Sequence, residues 1–224
     1  MVVSVVIPTL NEQEFLADAI RSVCDGITPG AQVEILVVDG GSSDGTLRAA
    51  SMADRVIEAA AGRSNQMNVG AAASRGSVLL FLHADSQLPS GWLQATNEAI
   101  RRSYSAGAFR LSFGPSAPLL LRLSATATRI RTPALCFGDR ARVVLRERFD
   151  HVGGFPSGRV FEDLEIVRRL AASGPFAYLE STVMTSPRRF DSAGTWRQQW
   201  ANVKLWTRYQ LGAHPDSLAE EYPY

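Results

Sequence analysis

The 224-residue chain has little cysteine, no long apolar run and almost no net charge. Its two cysteines, Cys24 and Cys136, lie far apart, which excludes a disulfide scaffold and a cysteine-rich zinc module and leaves core packing as their expected role. The 23 basic against 22 acidic residues exclude the strong positive field of a nucleic-acid-binding protein. No apolar run approaches the ~20 residues of a membrane span, and the N-terminus lacks the basic leader of a signal peptide. We therefore expect a cytoplasmic protein without a nucleic-acid partner.

Strand and helix patterns alternate through the first half of the chain. Apolar runs at residues 2–7, 33–38 and 77–82, with a shorter one at 55–58, predict strands. Asn11 is the predicted N-cap of the helix that follows the first strand. Continuous apolar strands joined by helices indicate a parallel sheet with helices on both faces.

The pattern changes after Trp92. Residues 107–113 (GAFRLSF) alternate like an antiparallel strand, and helical patterns cover residues 92–102, 119–130 and 161–173. No linker, repeat or low-complexity tract divides the sequence. We therefore expect a single domain over residues 1–224.

Polar residues follow three of the predicted parallel strands. Thr9 to Glu12 follow the first, Asp39 ends the second and Asp85 follows the third. Such residues are common in turns and helix caps, but three together at the carboxyl edge of a parallel sheet favour a ligand site. The glycine-rich stretch after Asp39 lacks both G-x-G-x-x-G and a P-loop, which argues against dinucleotide and P-loop chemistry. Asp39 is suited to accept a hydrogen bond from a base or ribose, and Asp85 to anchor a divalent cation at a diphosphate.

Six segments in chain order resemble family 2 glycosyltransferases of the GT-A fold: VSVVIPTLNE, EILVVDGGSSDGT, GRSNQMNVGAAASRG, LLFLHADS, GGF and FEDLEIVRRL. With GD at 138–139 and SPRRF at 186–190, the chain is also similar to a small bacterial subgroup associated with radical-SAM and selenium-linked gene clusters. The resemblance implies an α/β, Rossmann-like, mostly parallel central sheet with helices on both faces and a small antiparallel portion on the acceptor side. It implies a nucleotide-sugar half at residues 1–92, an acceptor and catalytic half at 93–190, and a helical tail at 191–224.

The resemblance also implies a set of donor-side residues. A divalent metal, Mn²⁺ or Mg²⁺, would bind Asp85 and His83. Because His83 stands where the family has a carboxylate, the softer Mn²⁺ is the better match. The implied nucleotide-binding residues are Pro8, Thr9, Asn11, Glu12, Asp39, Arg63, Gln66, Asn68 and Ala84.

On the acceptor side, the resemblance places the catalytic carboxylates at Glu162 and Asp163, with Asp163 as the preferred general base. A single base of this kind implies direct displacement with inversion. Acids are also common in the first turn of any helix, and adjacent arginines are often part of a solvated surface, so these alternatives stay open. The implied acceptor-binding residues are Gly138, Asp139, Arg188 and Arg189.

The predicted function is transfer of a sugar from a UDP- or GDP-sugar to an acceptor hydroxyl. The alternatives are a nucleotide-binding protein without catalysis and a sugar-phosphate nucleotidyltransferase. In the tail, Trp196, Trp200 and Val203 form one helical stripe with basic residues beside it. Such a helix suits packing on the domain or on a second subunit of a homodimer, which we favour, or peripheral contact with the inner face of a membrane.

Overall fold

The computed structural model describes residues 1–136, 138–157, 160–188, 195–219 and 221. Within these residues, eight strands form one sheet in the order β3-β2-β1-β4-β7-β6-β8-β5. The strands are β1 (Val2–Thr9), β2 (Gln32–Asp39), β3 (Arg55–Glu58), β4 (Val78–Phe81), β5 (Ser86–Gln87), β6 (Ala106–Ser112), β7 (Arg142–Leu145) and β8 (Phe176–Thr185).

The first four strands form the predicted parallel half of the sheet. β1 lies between β2 and β4 and is parallel to both, and β2 is parallel to β3. The register pairs Thr9 with Asp39, so the polar ends of β1 and β2 lie side by side. β1 extends through Thr9, two residues beyond the predicted strand, which brings the site residues onto the sheet edge.

The second half of the sheet is mixed. β7 is antiparallel to β4 and β6, β8 is parallel to β6, and β5 is antiparallel to β8. The predicted antiparallel strand is β6, and its pairing with β7 confirms that orientation. The sequence patterns did not predict β8 or β5. β8 alternates between buried and more exposed residues, but Phe176, Tyr178 and Met184 stand on its less buried face, so the sequence itself shows little alternation of apolar and polar residues.

Helices join the strands as predicted. The first helix does not begin at an Asn11 cap: Asn11 has φ of 55°, and α1 begins five residues later at Leu16. The side chain of Asn11 instead accepts a hydrogen bond from the Ser43 N–H, in the loop after β2. The helices are α1 (Leu16–Asp25), α2 (Thr46–Ala49), α3 (Arg63–Ala73), α4 (Trp92–Arg101), α5 (Leu119–Thr126), α6 (Arg146–His151), α7 (Glu162–Ser173), α8 (Thr195–Gln210) and α9 (Pro215–Ala219).

Apolar cores cover both faces of the sheet. On one face, Trp92 is fully buried against α1, and its Nε1–H donates to the Val23 carbonyl at 3.0 Å. On the other face, Phe81, Phe149 and Phe155 pack as a cluster, with ring centroids 4.9–5.8 Å apart. These two cores hold the strand ends rigidly.

The cysteines differ from each other in their surroundings. Cys136 is buried as expected, but Cys24 is exposed, so the core-packing prediction is wrong for Cys24. Cys24 lies at the end of α1, where the buried face of the helix is formed by Leu16, Ala19, Ile20 and Val23. Cys24 stands at the edge of that face in the last turn of the helix, where the chain end leaves it open to solvent.

The tail helix α8 packs through a different stripe from the predicted one. Leu205 and Tyr209 are buried against Val160 and Leu164. Trp200 and Val203 are 69% and 51% exposed, so the predicted packing of this stripe on the domain is wrong, and its packing on a second subunit stays a prediction. The side chain of Trp196 lies outside the described part of the chain. Among the described residues, no helix combines the length and apolarity needed to cross a membrane.

Candidate active site

The carboxyl ends of β1 and β2 are joined by a network centred on Asp39. Its carboxylate accepts hydrogen bonds from the N–H groups of Gly41 (3.0 Å) and Ser42 (2.8 Å). It also accepts from the hydroxyls of Ser42 (2.5 Å) and Thr9 (3.2 Å). Burial raises the pKa of Asp39, but these hydrogen bonds outweigh it and lower the pKa overall. Asp39 is therefore held as a carboxylate that fixes the loop after β2.

The loop after β1 is hydrogen-bonded to residues that follow β2. The Asn11 N–H donates to the Ser42 hydroxyl at 2.8 Å, and the Glu12 N–H donates to the Thr46 hydroxyl at 2.7 Å. Pro8 lies in β1 opposite Val38. The loops after β1 and β2 thus form one connected edge.

Gln66 and Asn68 on α3 use their amides to hold backbone. Gln66 Nε2 donates to the carbonyls of Thr9 (2.7 Å) and Val38 (2.8 Å), which joins α3 to the ends of β1 and β2. Asn68 exchanges two hydrogen bonds with the backbone of Phe155 at 2.8 and 2.9 Å. Both residues position the site in this structure, and the nucleotide contact expected of each stays a prediction.

Arg188 connects the ends of β1 and β4. Its guanidinium pairs with Glu12 and lies 3.6 Å from Asp85 Oδ2. It also stacks over the Phe15 ring, 4.6 Å from the ring centroid. Two carboxylates at the sheet edge therefore share one cation, which reduces their mutual repulsion. Arg189 lies outside the described residues.

His83 and Asp139 link the end of β4 to the loop before β7. His83 Nδ1 lies 3.4 Å from Asp139 Oδ1, and both side chains are largely buried. Ala84, between His83 and Asp85, belongs to the apolar core on the α1 side of the sheet. Its predicted nucleotide contact could involve only its backbone or its small methyl group.

The first turn of α7 brings two buried carboxylates to the same region. Phe161 has a left-handed backbone (φ 60°), which turns the chain sharply into a helix that begins with Glu162 and Asp163. Asp163 Oδ2 accepts from the Gly138 N–H at 2.6 Å and lies 3.1 Å from Arg142 Nη2. The acids at a helix N-terminus also interact favourably with the helix dipole.

Glu162 pairs with Arg63 across the two halves of the chain. Glu162 is 2% exposed, and Arg63 donates to its Oε1 while lying 3.9 Å from Asp139. Burial raises the pKa of Glu162, and Asp163 adds to the rise, while Arg63 opposes it. Burial lowers the pKa of Arg63, but the surrounding carboxylates raise it overall. Glu162 Oε2 is buried without a hydrogen-bond partner among the described residues.

Arg142 was not predicted as a site residue. It is buried in β7, and its guanidinium donates to Asp163 and to the carbonyls of Arg140, Cys136 and Gly138 at 3.1–3.3 Å. A charge inside an apolar strand (RVVL) was the available sequence signal, because burial of a charge requires partners. Arg142 fixes both the base candidate and the loop that contains Gly138.

The donor set at the end of β4 fits a divalent ion that completes its coordination on a ligand. No group of three or more His, Cys, Asp or Glu side chains in the described part of the chain is arranged to hold a metal by itself. Mg²⁺ commonly uses one or two carboxylates together with substrate phosphates and water. Asp85 is one such carboxylate, and the imidazole of His83, a softer ligand than a carboxylate, favours Mn²⁺ over Mg²⁺.

Comparison with known proteins gives one matching family model. The model of glycosyl transferase family 2 matches residues 4–159. The glycosyltransferase AglE of Haloferax volcanii is 32% identical over 100 residues, which cover 41% of this chain and 33% of AglE. The chain thus matches only a third of the length of this curated relative.

Solved structures share the architecture. The mannosyltransferase PcManGT from Pyrobaculum calidifontis, in complex with GDP-Man and Mn²⁺, aligns with a TM-score of 0.67 and 20% identity, over 96% of this chain and 66% of its own. TarS 1-349 from S. aureus aligns with a TM-score of 0.65 and 17% identity, over 85% of this chain and 62% of its own. Glucosyl-3-phosphoglycerate synthase from Mycobacterium tuberculosis was solved in complex with Mn²⁺, UDP and glucosyl-3-phosphoglycerate. It aligns with a TM-score of 0.63 and 20% identity, over 90% of this chain and 78% of its own. At these identities the likeness concerns the fold alone, and it confirms the predicted α/β GT-A fold.

Proposed function

Because the chain belongs to glycosyl transferase family 2, we propose that it transfers a sugar from a nucleotide-diphospho sugar to an acceptor hydroxyl with inversion. One observation carries the proposal: carboxylates and arginines from both halves of the chain meet at the carboxyl edge of the sheet. Arg63 from the first half pairs with Glu162 from the second, and Arg188 pairs with Glu12. Membership of the bacterial subgroup associated with radical-SAM and selenium-linked gene clusters stays a prediction.

In the proposed reaction, the edge formed by β1, β2 and β4 binds the donor. Asp39 and its loop offer fixed polar groups to the base and ribose. Arg188, which already faces two carboxylates, is suited to accept a diphosphate as a further anionic partner. GDP-Man in PcManGT and UDP in the mycobacterial synthase are the reasons to test guanosine and uridine donors first.

Asp85 and His83 would hold the divalent ion. When bound, such an ion supplies positive charge that stabilises the leaving diphosphate. The described residues that surround this position supply cations of their own in Arg188 and Arg63, which would hold the diphosphate in a fixed orientation.

The start of α7 would supply the general base. Asp163 is the preferred residue: it is fixed by Gly138 and Arg142, and a fixed carboxylate can receive the proton of an acceptor hydroxyl as oxygen attacks the anomeric carbon. The bond between that carbon and the diphosphate oxygen breaks in the same step. Glu162 is the alternative base, because one of its oxygens has no hydrogen-bond partner among the described residues and its pKa is raised.

Two measurements test the proposal. Thermal unfolding with UDP, GDP, CDP, TDP or ADP, each with Mn²⁺, Mg²⁺ or EDTA, should show a metal-dependent stabilisation by one diphosphate, because a ligand that binds only the folded chain raises its stability. Asp85→Asn should remove the metal dependence. Stabilisation without metal dependence or turnover would favour the non-catalytic alternative, and release of pyrophosphate from a nucleoside triphosphate would favour the nucleotidyltransferase.

The base is identified by release of nucleoside diphosphate from the matching sugar donor. Loss of the general base should lower kcat by about 10²–10⁴-fold. Asp163→Asn should show this loss, and Glu162→Gln should show less. Glu165→Gln, two residues further along α7, is the matched carboxylate control because Glu165 pairs with Arg169 and Tyr209 instead. Unchanged turnover in Asp163→Asn would refute its role as the base.

A further inference from the structure

One face of α5 and the turn after it carries exposed apolar and basic side chains together. Leu119, Leu123 and Ile130 are 66%, 57% and 56% exposed. Arg122 and Arg129, which are also exposed, lie among them. Residues three and four positions apart share a helix face, so Leu119, Arg122 and Leu123 are neighbours. We call the set Leu119, Arg122, Leu123, Arg129 and Ile130 the α5 face.

The charge around the α5 face has one sign. Residues 99–138 contain six arginines and no lysine, aspartate or glutamate, whereas the whole chain is almost neutral. Arg131, next to Ile130, pairs with Glu180 at 3.1 Å. For Arg122 and Arg129, the described part of the chain supplies no carboxylate partner within 4.0 Å. The positive charge of the α5 face is therefore available to an anionic surface.

The tail helix α8 differs from the α5 face in the pairing of its cations. It also exposes apolar side chains, Trp200 and Val203. Of its cations, the two whose side chains the structure describes, Lys204 and Arg208, both pair with Glu221. Among the described side chains, arginines without a carboxylate partner are therefore found on the α5 face and not on α8.

We propose that the α5 face is a docking surface for an anionic lipid bilayer. A helix surface that combines exposed leucine and arginine binds at the headgroup boundary, because the apolar side chains leave water and the arginines meet the lipid phosphates. An aqueous polyanion would use the arginines but would leave the three large apolar side chains exposed. A bilayer accounts for both.

The α5 face also lies close in sequence to the acceptor side of the candidate site. The acid-free segment that contains it ends at Gly138, whose N–H donates to Asp163. The docking proposal goes beyond the proposed sugar transfer and does not depend on it.

Flotation of the full chain with vesicles tests the proposal. The vesicles are phosphatidylcholine alone, or equal parts of phosphatidylcholine and phosphatidylglycerol. We expect binding to the anionic vesicles that weakens in high salt. The double variant Arg122→Gln/Arg129→Gln should lower the partition coefficient about 30-fold, from the usual contribution of an arginine near an anionic surface. Leu119→Ser/Leu123→Ser should lower it by about tenfold or more.

Trp200→Ser on α8 is the matched control, because it removes an exposed apolar side chain outside the α5 face and should leave binding unchanged. Since all the changed residues are exposed, thermal unfolding of each variant should match the unaltered chain. Equal binding to both vesicle types, no binding, or binding lost only in Trp200→Ser would overturn the proposal. The assay contains neither donor nor acceptor, so its failure would leave the proposed sugar transfer standing.

Discussion

The pair formed by Arg63 and Glu162 gives a stability prediction that depends on pH. Glu162 is 2% exposed, whereas the Arg63 side chain is 29% exposed. Replacing Arg63 with Met keeps an apolar stem but leaves the buried carboxylate without its main counter-charge. Removing one partner of a buried ion pair commonly costs 3–5 kcal/mol, and the partial exposure of Arg63 places the expected loss near the lower end, about 3 kcal/mol.

The loss should shrink in acid. Burial already raises the pKa of Glu162 above its ordinary value, and removal of Arg63 raises it further. A carboxyl whose pKa is higher in the folded chain stabilises the fold below its unfolded pKa, near 4.3, and loses that contribution as pH rises through the folded value. The Arg63→Met variant should therefore be most destabilised at pH above neutrality and approach the unaltered chain near pH 4.5.

Urea unfolding at several pH values, followed by circular dichroism, measures this difference. The double variant Arg63→Met/Glu162→Gln is the control, since it removes the charge that the single variant leaves buried, and it should recover part of the stability at high pH. A loss that is equal at acid and alkaline pH, or a double variant that is no more stable than Arg63→Met, would refute the reasoning.

Three further predictions concern other parts of the edge. Asp39→Asn should lower stability most above pH 4 and show a shallower acid transition than the unaltered chain. Because the pKa of Asp39 is lowered in the folded chain, its contribution is present above the unfolded pKa and is lost as pH falls through the folded pKa. Urea midpoints across acid pH measure this. Arg142→Met should lower the free energy of unfolding by about 3–5 kcal/mol, because it removes the cation that pairs with the buried Asp163 carboxylate. A decrease below about 1 kcal/mol would contradict this prediction. Gly70→Ala should lower the unfolding free energy by about 1–3 kcal/mol, because an added methyl would overlap Val6, and an unchanged melting temperature would argue against this contact.

Much of the fold was accessible from sequence periodicity. The apolar runs that became β1, β2 and β4 are buried along most of their length, so their patterns were strong. The helical pattern at residues 161–173 predicted α7 closely. β8 was missed because apolar residues stand on both of its faces, which hides the alternation of its burial. Its place between β6 and β5 also depends on pairing with strands far away in sequence.

The residue types of the site could be predicted from the sequence, but the contacts between them could not. The sequence indicated polar residues at three strand ends, because carboxyl ends of parallel strands meet at one edge. It could not show that Gln66 and Asn68 hold backbone, since hydrogen bonds between residues distant in sequence follow from packing. Arg142 was overlooked for the same reason: its charge is tolerated only because the fold supplies Asp163 and three carbonyls.

The sequence by itself thus determined the order of strands and helices, the parallel first half and the carboxyl edge where polar groups collect, because local periodicity and strand direction dictate them. Only the tertiary structure decided which charges meet there. Arg63 and Glu162 are separated by 99 positions, and Glu12 and Arg188 by 176. Their pairing reflects the way the sheet brings distant segments together, and burial then makes each pair depend on its partner.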